Sequence, residues 1–314
     1  MCRLKKCALS LSLVLAALTG LCACSQPAPD AGQTQPSGDG KLRALATTTI
    51  VGDVVRNVGG DAIQLEVLVP PGVDEHSFQS TPEDVTKVAQ ADVIFLNGAG
   101  LETFLEPLLR NAGKDVRQVP VSEGLQLLDS PDGDAHEAAG GDPHLWLDPN
   151  NVAVWVDNIE RALAELDPGH AAEFKANAEG YRQALADLDR WTREQVSQVP
   201  DANRKLVSDH QIFTYFAQRY NFQQEGALIP SYSTLAEPTA QEMAALEDAI
   251  RQTGVRAIFV GNTANPTLAE RVAQDTGVRL VFIYTGSLSK PGGPAENYLD
   301  YFRYNVGVIV NALK

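Results

Sequence analysis

Five histidines occur in the 314-residue chain, His76, His136, His144, His170 and His210, and three of them stand where a side chain could be delivered to a shared ligand. His144 lies in "GGDPHLWLDPNN", fenced by two Asp-Pro steps, Asp142-Pro143 and Asp148-Pro149. A proline fixes its own φ and holds the preceding residue extended, so His144 and Trp146 are expected on a short, stiff, extended segment that aims a side chain. His76 follows the strand-like run "IQLEVLVP" in "PGVDEHSFQSTPED", and His210 follows "RKLVSD" just before an aromatic-rich helix. One such histidine alone reads as a hydrogen-bonded structural residue; three at equivalent positions make a cation site, because neutral imidazole is a common metal ligand. His170, in "DPGHAAEF", is expected to face solvent or flank a helix cap, and His136 falls in the loop "DSPDGDAHEAAGGD".

Convergence of three imidazoles needs elements that end together. From Lys41 onward, strand-like runs ("LRALATT", "IQLEVLVP", "DVIFLNG", "VRQVPVS") alternate with helical ones ("TIVGDVVRNVGG", "PEDVTKVAQA", "LETFLEPLLRNAG"). Apolar strands separated by amphipathic helices imply a parallel sheet covered on both faces. A second series starts near Arg204 with "RKLVSDH" and closes with a helix from about Glu296. The fold class expected is therefore α/β, with two parallel-sheet lobes, residues 41–167 and 200–314, and a metal site in the crevice between them, beyond the carboxyl ends of the strands. Between the lobes, residues 168–199 place Phe174, Ala178, Tyr181, Leu185 and Leu188 at steps of four and three. That spacing draws one apolar stripe along a helix. Thirty helical residues run roughly 45 Å at 1.5 Å per residue, and a connecting helix of that length resists hinge bending, so small lobe movements are expected on binding.

The N-terminus has a different character. Residues 1–23 open with the basic "MCRLKK" and continue with an apolar stretch too short to span a bilayer comfortably, the pattern of an export signal. Its end, "LCAC", resembles the bacterial lipobox, which makes Cys24 the lipidated residue and a membrane anchor; Cys22 is an unusual choice at its position. Residues 24–40, rich in Pro, Gly, Ser and Gln, are expected to form a disordered tether. All four cysteines, Cys2, Cys7, Cys22 and Cys24, lie at or before the cleavage point, so the folded part has neither a disulfide nor a thiolate ligand. The net charge of −15 becomes more negative once Arg3, Lys5 and Lys6 are removed. Such a surface repels nucleic acid and attracts cations diffusely.

The stretches "GVDEHSFQSTPEDV", "DPHLWLDPNN", "VSDHQIFTYFAQRYNF" and "AEPTAQEM" together resemble the solute-binding lipoproteins of metal-ion ABC transporters, the cluster A-I family that captures zinc or manganese outside the cytoplasmic membrane. The resemblance runs from about Leu42 to Lys314. It implies a monomeric extracytoplasmic protein, held at the cell surface or in the periplasm by acylated Cys24, that gives its ion to an ABC permease, with His76, His144 and His210 as metal ligands. Two departures stand out: "FVGN" has Gly261, and "IYTGSLS" has Gly286, where the family usually supplies acids. Glu75 resembles the residue that completes the site in some zinc members, although neighbouring side chains on an extended segment point to opposite faces; water is the other choice. Three nitrogens and at most one carboxylate favour Zn2+ over the harder Mn2+, which prefers oxygen-rich sites. The loop between Leu127 and Pro143 resembles the histidine-rich insert of zinc members but carries Asp129, Asp132, Asp134, Glu137 and Asp142 instead, and is expected to be a solvated acidic loop. Competing readings are an Mn2+- or Fe2+-binding member of the same family, a zinc-dependent hydrolase, which would need a positioned base and has no H-E-x-x-H helix, and a surface adhesin.

Overall fold

The computed structural model describes residues 40–113, 115–128 and 141–314. The N-terminal lobe is built from β1 (Leu42–Ala46), α1 (Thr49–Gly59), β2 (Ile63–Val67), α2 (Pro82–Gln90), β3 (Val93–Leu96), α3 (Leu105–Ala112) and β4 (Arg117–Pro120), followed by α4 (Pro149–Leu166). Its four strands run parallel in the order β2-β1-β3-β4. Pro120, which cannot donate to a ladder, sits on the edge strand, where that costs least.

Helix α5 (Ala171–Val196) leads to the C-terminal lobe, which comprises β5 (Lys205–His210), α6 (Thr214–Tyr220), β6 (Gln223–Ile229), α7 (Ala240–Thr253), β7 (Ala257–Gly261), α8 (Thr267–Thr276), β8 (Arg279–Ile283) and α9 (Tyr298–Leu313). Its sheet is parallel in the equivalent order, β6-β5-β7-β8. In both sheets the chain leaves its first strand in one direction and returns on the other side of it, which opens a crevice at the carboxyl ends of the central strands. The fold class is α/β with two parallel-sheet lobes.

Phe174, Ala178, Tyr181, Leu185 and Leu188 of α5 are all buried. They lie in one continuous apolar core with Val54 and Val58 of α1, Trp155 and Ile159 of α4, Phe216 of α6, and Phe302 and Ile309 of α9. Because this core belongs to both lobes, bending one lobe away from the other would expose apolar surface at roughly 25 cal/mol per Å2. Polar contacts add to it. The Asp53 carboxylate accepts hydrogen bonds from the Tyr298 backbone N–H (2.9 Å) and the Tyr181 hydroxyl (3.3 Å), and the Leu288 N–H donates to Thr49 Oγ1 (3.0 Å). Among the described residues, no helix is long and apolar enough to cross a membrane.

Candidate metal centre

Each of the three histidines is presented by a local turn that its own sequence dictates. After β2, Pro70-Pro71-Gly72-Val73 forms a tight turn, with the Val73 N–H donating to the Pro70 carbonyl (3.2 Å) and Gly72 at φ 84°. Proline followed by a glycine of positive φ is the chemistry of a type II turn. Asp74 then winds the chain on itself: its Oδ1 accepts from the His76 N–H (3.0 Å) and its Oδ2 from the hydroxyls of Ser77 (3.0 Å) and Thr234 (2.6 Å). The expectation that Glu75 and His76 point to opposite faces is therefore wrong. It assumed a pleated strand, whereas Asp74 makes an Asx turn, and Glu75 Oε1 comes to 4.0 Å from His76 Nε2.

The segment at His144 is not extended either. Leu145–Leu147 form a 3-10 turn, and His144 has φ −82° and ψ 44°. The prolines act on its flanks, Pro149 as the first residue of α4 behind the N-cap Asp148, whose side chain accepts from the Asn150 N–H. Aiming is done by the aspartate: Asp142 Oδ1 accepts from the His144 N–H (2.9 Å) and lies 2.8 Å from His144 Nδ1. Asp142 is thus no member of a solvated acidic loop. It is fully buried, and Tyr215 holds its carbonyl with a 2.8 Å hydrogen bond from the phenol. His210, the last residue of β5, repeats the device, with Nδ1 2.8 Å from Asp209 Oδ1 while Asp209 Oδ2 accepts from the Gly261 N–H (2.7 Å).

These turns bring three ring nitrogens together. Nε2 of His144 lies 3.3 Å from Nε2 of His76 and 3.2 Å from Nε2 of His210, and the three donor atoms fall within 4.8 Å of one another. A tetrahedral zinc site with metal–nitrogen bonds of 2.0 to 2.1 Å has ligand–ligand edges of about 3.3 to 3.4 Å. With the carboxyl groups of Asp142 and Asp209 accepting from the Nδ1–H groups, the Nε2 lone pairs of His144 and His210 point inward, as in carboxylate–histidine–metal sites. Glu75, buried with its Oε2 lacking a hydrogen-bond partner, faces the same space. Glu75 and His76 come from the β2–α2 loop and His144 from the segment before α4, so three of the four groups belong to the N-terminal lobe; only His210 comes from the other.

Burial governs the acid–base character of the cluster. Desolvation, aided by the charge of neighbouring imidazoles, holds His76 and His144 well below the usual histidine range. His210 is buried as deeply, but the Asp209 carboxylate overcomes desolvation and raises it. Desolvation pushes Glu75 and Asp142 up to about 7. His144 and His210 are buried, whereas His76 is only partly buried, its side chain 7% exposed, and opens onto a cleft of about 380 Å3 shared with Leu101, Pro143 and Tyr232. A second cleft of about 610 Å3, lined by Asp74, Ser77, Thr234 and Asn265, reaches His210 from the other side.

His170 is not part of this cluster: it precedes α5, is exposed, and pairs through Nδ1 with Asp167 Oδ2 at 2.6 Å. His136, Asp129, Asp132, Asp134, Glu137, Cys24 and the segments 1–23 and 24–39 lie outside the described residues. Sequence reasoning missed the orienting roles of Asp142 and Asp209, although an acid directly before or two residues before a candidate ligand, as in "DPH" and "SDH", is a usable signal.

The profile of the family described as "Zinc-uptake complex component A periplasmic" matches residues 45–312. The chain belongs to that family. Members of this cluster A-I group are substrate-binding transport proteins, not enzymes, and the chain is accordingly a metal-binding solute-binding protein of an ABC transporter. It is 34% identical, over 91% of its length and 92% of the relative's, to the manganese-binding lipoprotein MntA of Halalkalibacterium halodurans. It is 31% identical, over 99% of both chains, to the manganese ABC transporter substrate-binding lipoprotein PsaA of Streptococcus pneumoniae. Among solved structures it resembles the periplasmic zinc-binding protein TroA of Treponema pallidum, with a TM-score of 0.78 and 28% identity over 87% of this chain and 99% of that one. The Mn-bound periplasmic metal-binding protein of Candidatus Liberibacter asiaticus also has a TM-score of 0.78 and 28% identity, over 87% of this chain and all of that one.

Proposed function

We propose that this member of the family captures one Zn2+ through Nε2 of His76, His144 and His210, with Glu75 as the fourth ligand, and passes it to an ABC permease. The observation that carries this reading is the convergence of three imidazole nitrogens, two of them with carboxylates on the opposite ring nitrogen. Such a donor set is nitrogen-dominated, and the nearest carboxylate is single, so it suits zinc better than an oxygen-seeking ion. Mn2+ is the second reading, and Fe2+ follows it; the manganese-binding names of the relatives in Halalkalibacterium and Streptococcus favour Mn2+. Metal analysis of protein purified without added metal, followed by competition between zinc and manganese, tests the two. Zinc bound at one equivalent and not displaced by a large excess of manganese is the expected outcome; retention of manganese against equimolar zinc overturns it.

The placement we propose is extracytoplasmic, with a monomer tethered to the membrane by lipid on Cys24. "LCAC" at residues 21–24 and the relatives named as lipoproteins support it. Cys24→Ser should move the protein to the soluble fraction of lysed cells, and continued membrane retention would refute the anchor.

A further inference from the structure

Resting on the reading of Glu75 as a ligand, we propose that Gly286 is a positioning residue that decides which lobe supplies the carboxylate of this site, because the space a side chain at 286 would fill is the space in which the Glu75 carboxylate lies. A Cβ placed on Gly286 would overlap Cδ, Oε1 and Oε2 of Glu75, all closer than non-bonded atoms can approach. The backbone itself does not demand glycine there, since Gly286 is not among the residues of positive φ. What demands it is the acid from the opposite lobe.

The backbone at residue 286 cannot step aside, so the Glu75 side chain must. The strip around Gly286 is pinned on both sides: the Thr285 carbonyl accepts from Trp146 Nε1 (3.1 Å) and the Tyr301 hydroxyl (2.6 Å), Ser287 Oγ accepts from the Gly72 N–H (2.8 Å), and the Leu288 N–H is held by Thr49. The backbone of Glu75 is held between the turn at Gly72 and the Asx turn of Asp74, but its carboxyl, the end of a flexible side chain, would swing away from a Cβ at 286. A carboxylate can therefore reach the metal from residue 75 or from a side chain at residue 286, and one excludes the other. The donor set therefore stays at three nitrogens and one carboxylate, and restoring an acid at 286 replaces Glu75 instead of adding to it.

The test uses the mature protein and four variants, with zinc and manganese affinities from chelator competition and melting of the metal-free form. Glu75→Ala should weaken zinc binding at least tenfold, and Gly286→Ala should do the same by displacing the acid. Glu75→Ala/Gly286→Ala should bind like Glu75→Ala, since the added methyl then enters emptied space. Glu75→Ala/Gly286→Asp should regain zinc affinity to within a few-fold of the parent. If Gly286→Ala binds like the parent, or the two alanine losses multiply in the double variant, the exclusion is wrong. If Glu75→Ala binds like the parent, Glu75 is not a ligand and the proposal falls, while the three-histidine site stands or falls separately on His144→Ala. Should Gly286→Ala fail to fold, a folded double alanine variant upholds the steric conflict, and a double variant that also fails to fold overturns it.

Discussion

At the scale of single residues, an aspartate on the far nitrogen of each buried imidazole orients the ligand that the imidazole supplies. Removing a ligand, as in His144→Ala, should lower zinc affinity by orders of magnitude in chelator competition. Asp142→Asn should leave the ring in place but replace the charged acceptor on its Nδ1 with a neutral amide, and outer-shell losses of this kind cost about 10- to 100-fold in metal affinity. Protonation can be predicted with its sign. Burial lifts Glu75 and Asp142 to about 7, above the roughly 4 of unfolded carboxyl groups. Between those values the folded protein binds more protons than the unfolded chain, so the stability these groups contribute is full below about 4 and is lost as pH rises through about 7. A cation supplies the missing positive charge at the upper end, and it competes with protons on the imidazoles at the lower end. The rise in melting temperature on adding zinc should therefore grow steadily from pH 5 to pH 8; a constant rise would contradict it. His76 and His210 were legible in sequence because they stand at or beyond strand ends, and His144 because of the Asp-Pro steps on either side of it. Glu75 was not, because its direction depends on an Asx turn, and the meeting with Gly286 joins positions far apart in the chain.

At the scale of elements, the alternation of strands and helices was readable throughout, and the four-and-three spacing of Phe174, Ala178, Tyr181, Leu185 and Leu188 identified the buried stripe of α5. The rigid extended segment expected at His144 was misread: Pro149 and Asp148 are better understood as the start of α4, and the residues before them turn. Local propensity names the helix cap, but which face the preceding turn shows is set by Asp142 and Tyr215 from outside it. Since Leu185 is buried in the shared core, Leu185→Ala should destabilise the fold by about 2–5 kcal/mol in urea denaturation of the metal-free protein. Zinc affinity of the folded variant should match the parent, because no ligand is borne on α5. A loss of affinity would show that α5 transmits strain to the site.

At the scale of the whole molecule, one apolar core serves both lobes, so the radius of gyration measured by small-angle scattering should be the same within error with and without zinc. A contraction of several ångströms on zinc addition would mean that the shared core is not the constraint it is taken to be. The uneven division of the donors, three from one lobe and one from the other, has a kinetic consequence. With the ligand set proposed above, parting the lobes would break a single bond, to His210, and leave the cargo chelated on the N-terminal jaw, so mechanical opening alone is a poor way to unload it. Departure by substitution is then expected, with an incoming donor taking the coordination position as His210 leaves, and the cleft onto which His76 opens marks where such a donor enters. The rate at which a small chelator strips zinc from the protein should accordingly rise in proportion to chelator concentration. A rate independent of that concentration would mean that spontaneous release, and not attack by the acceptor, limits the handover.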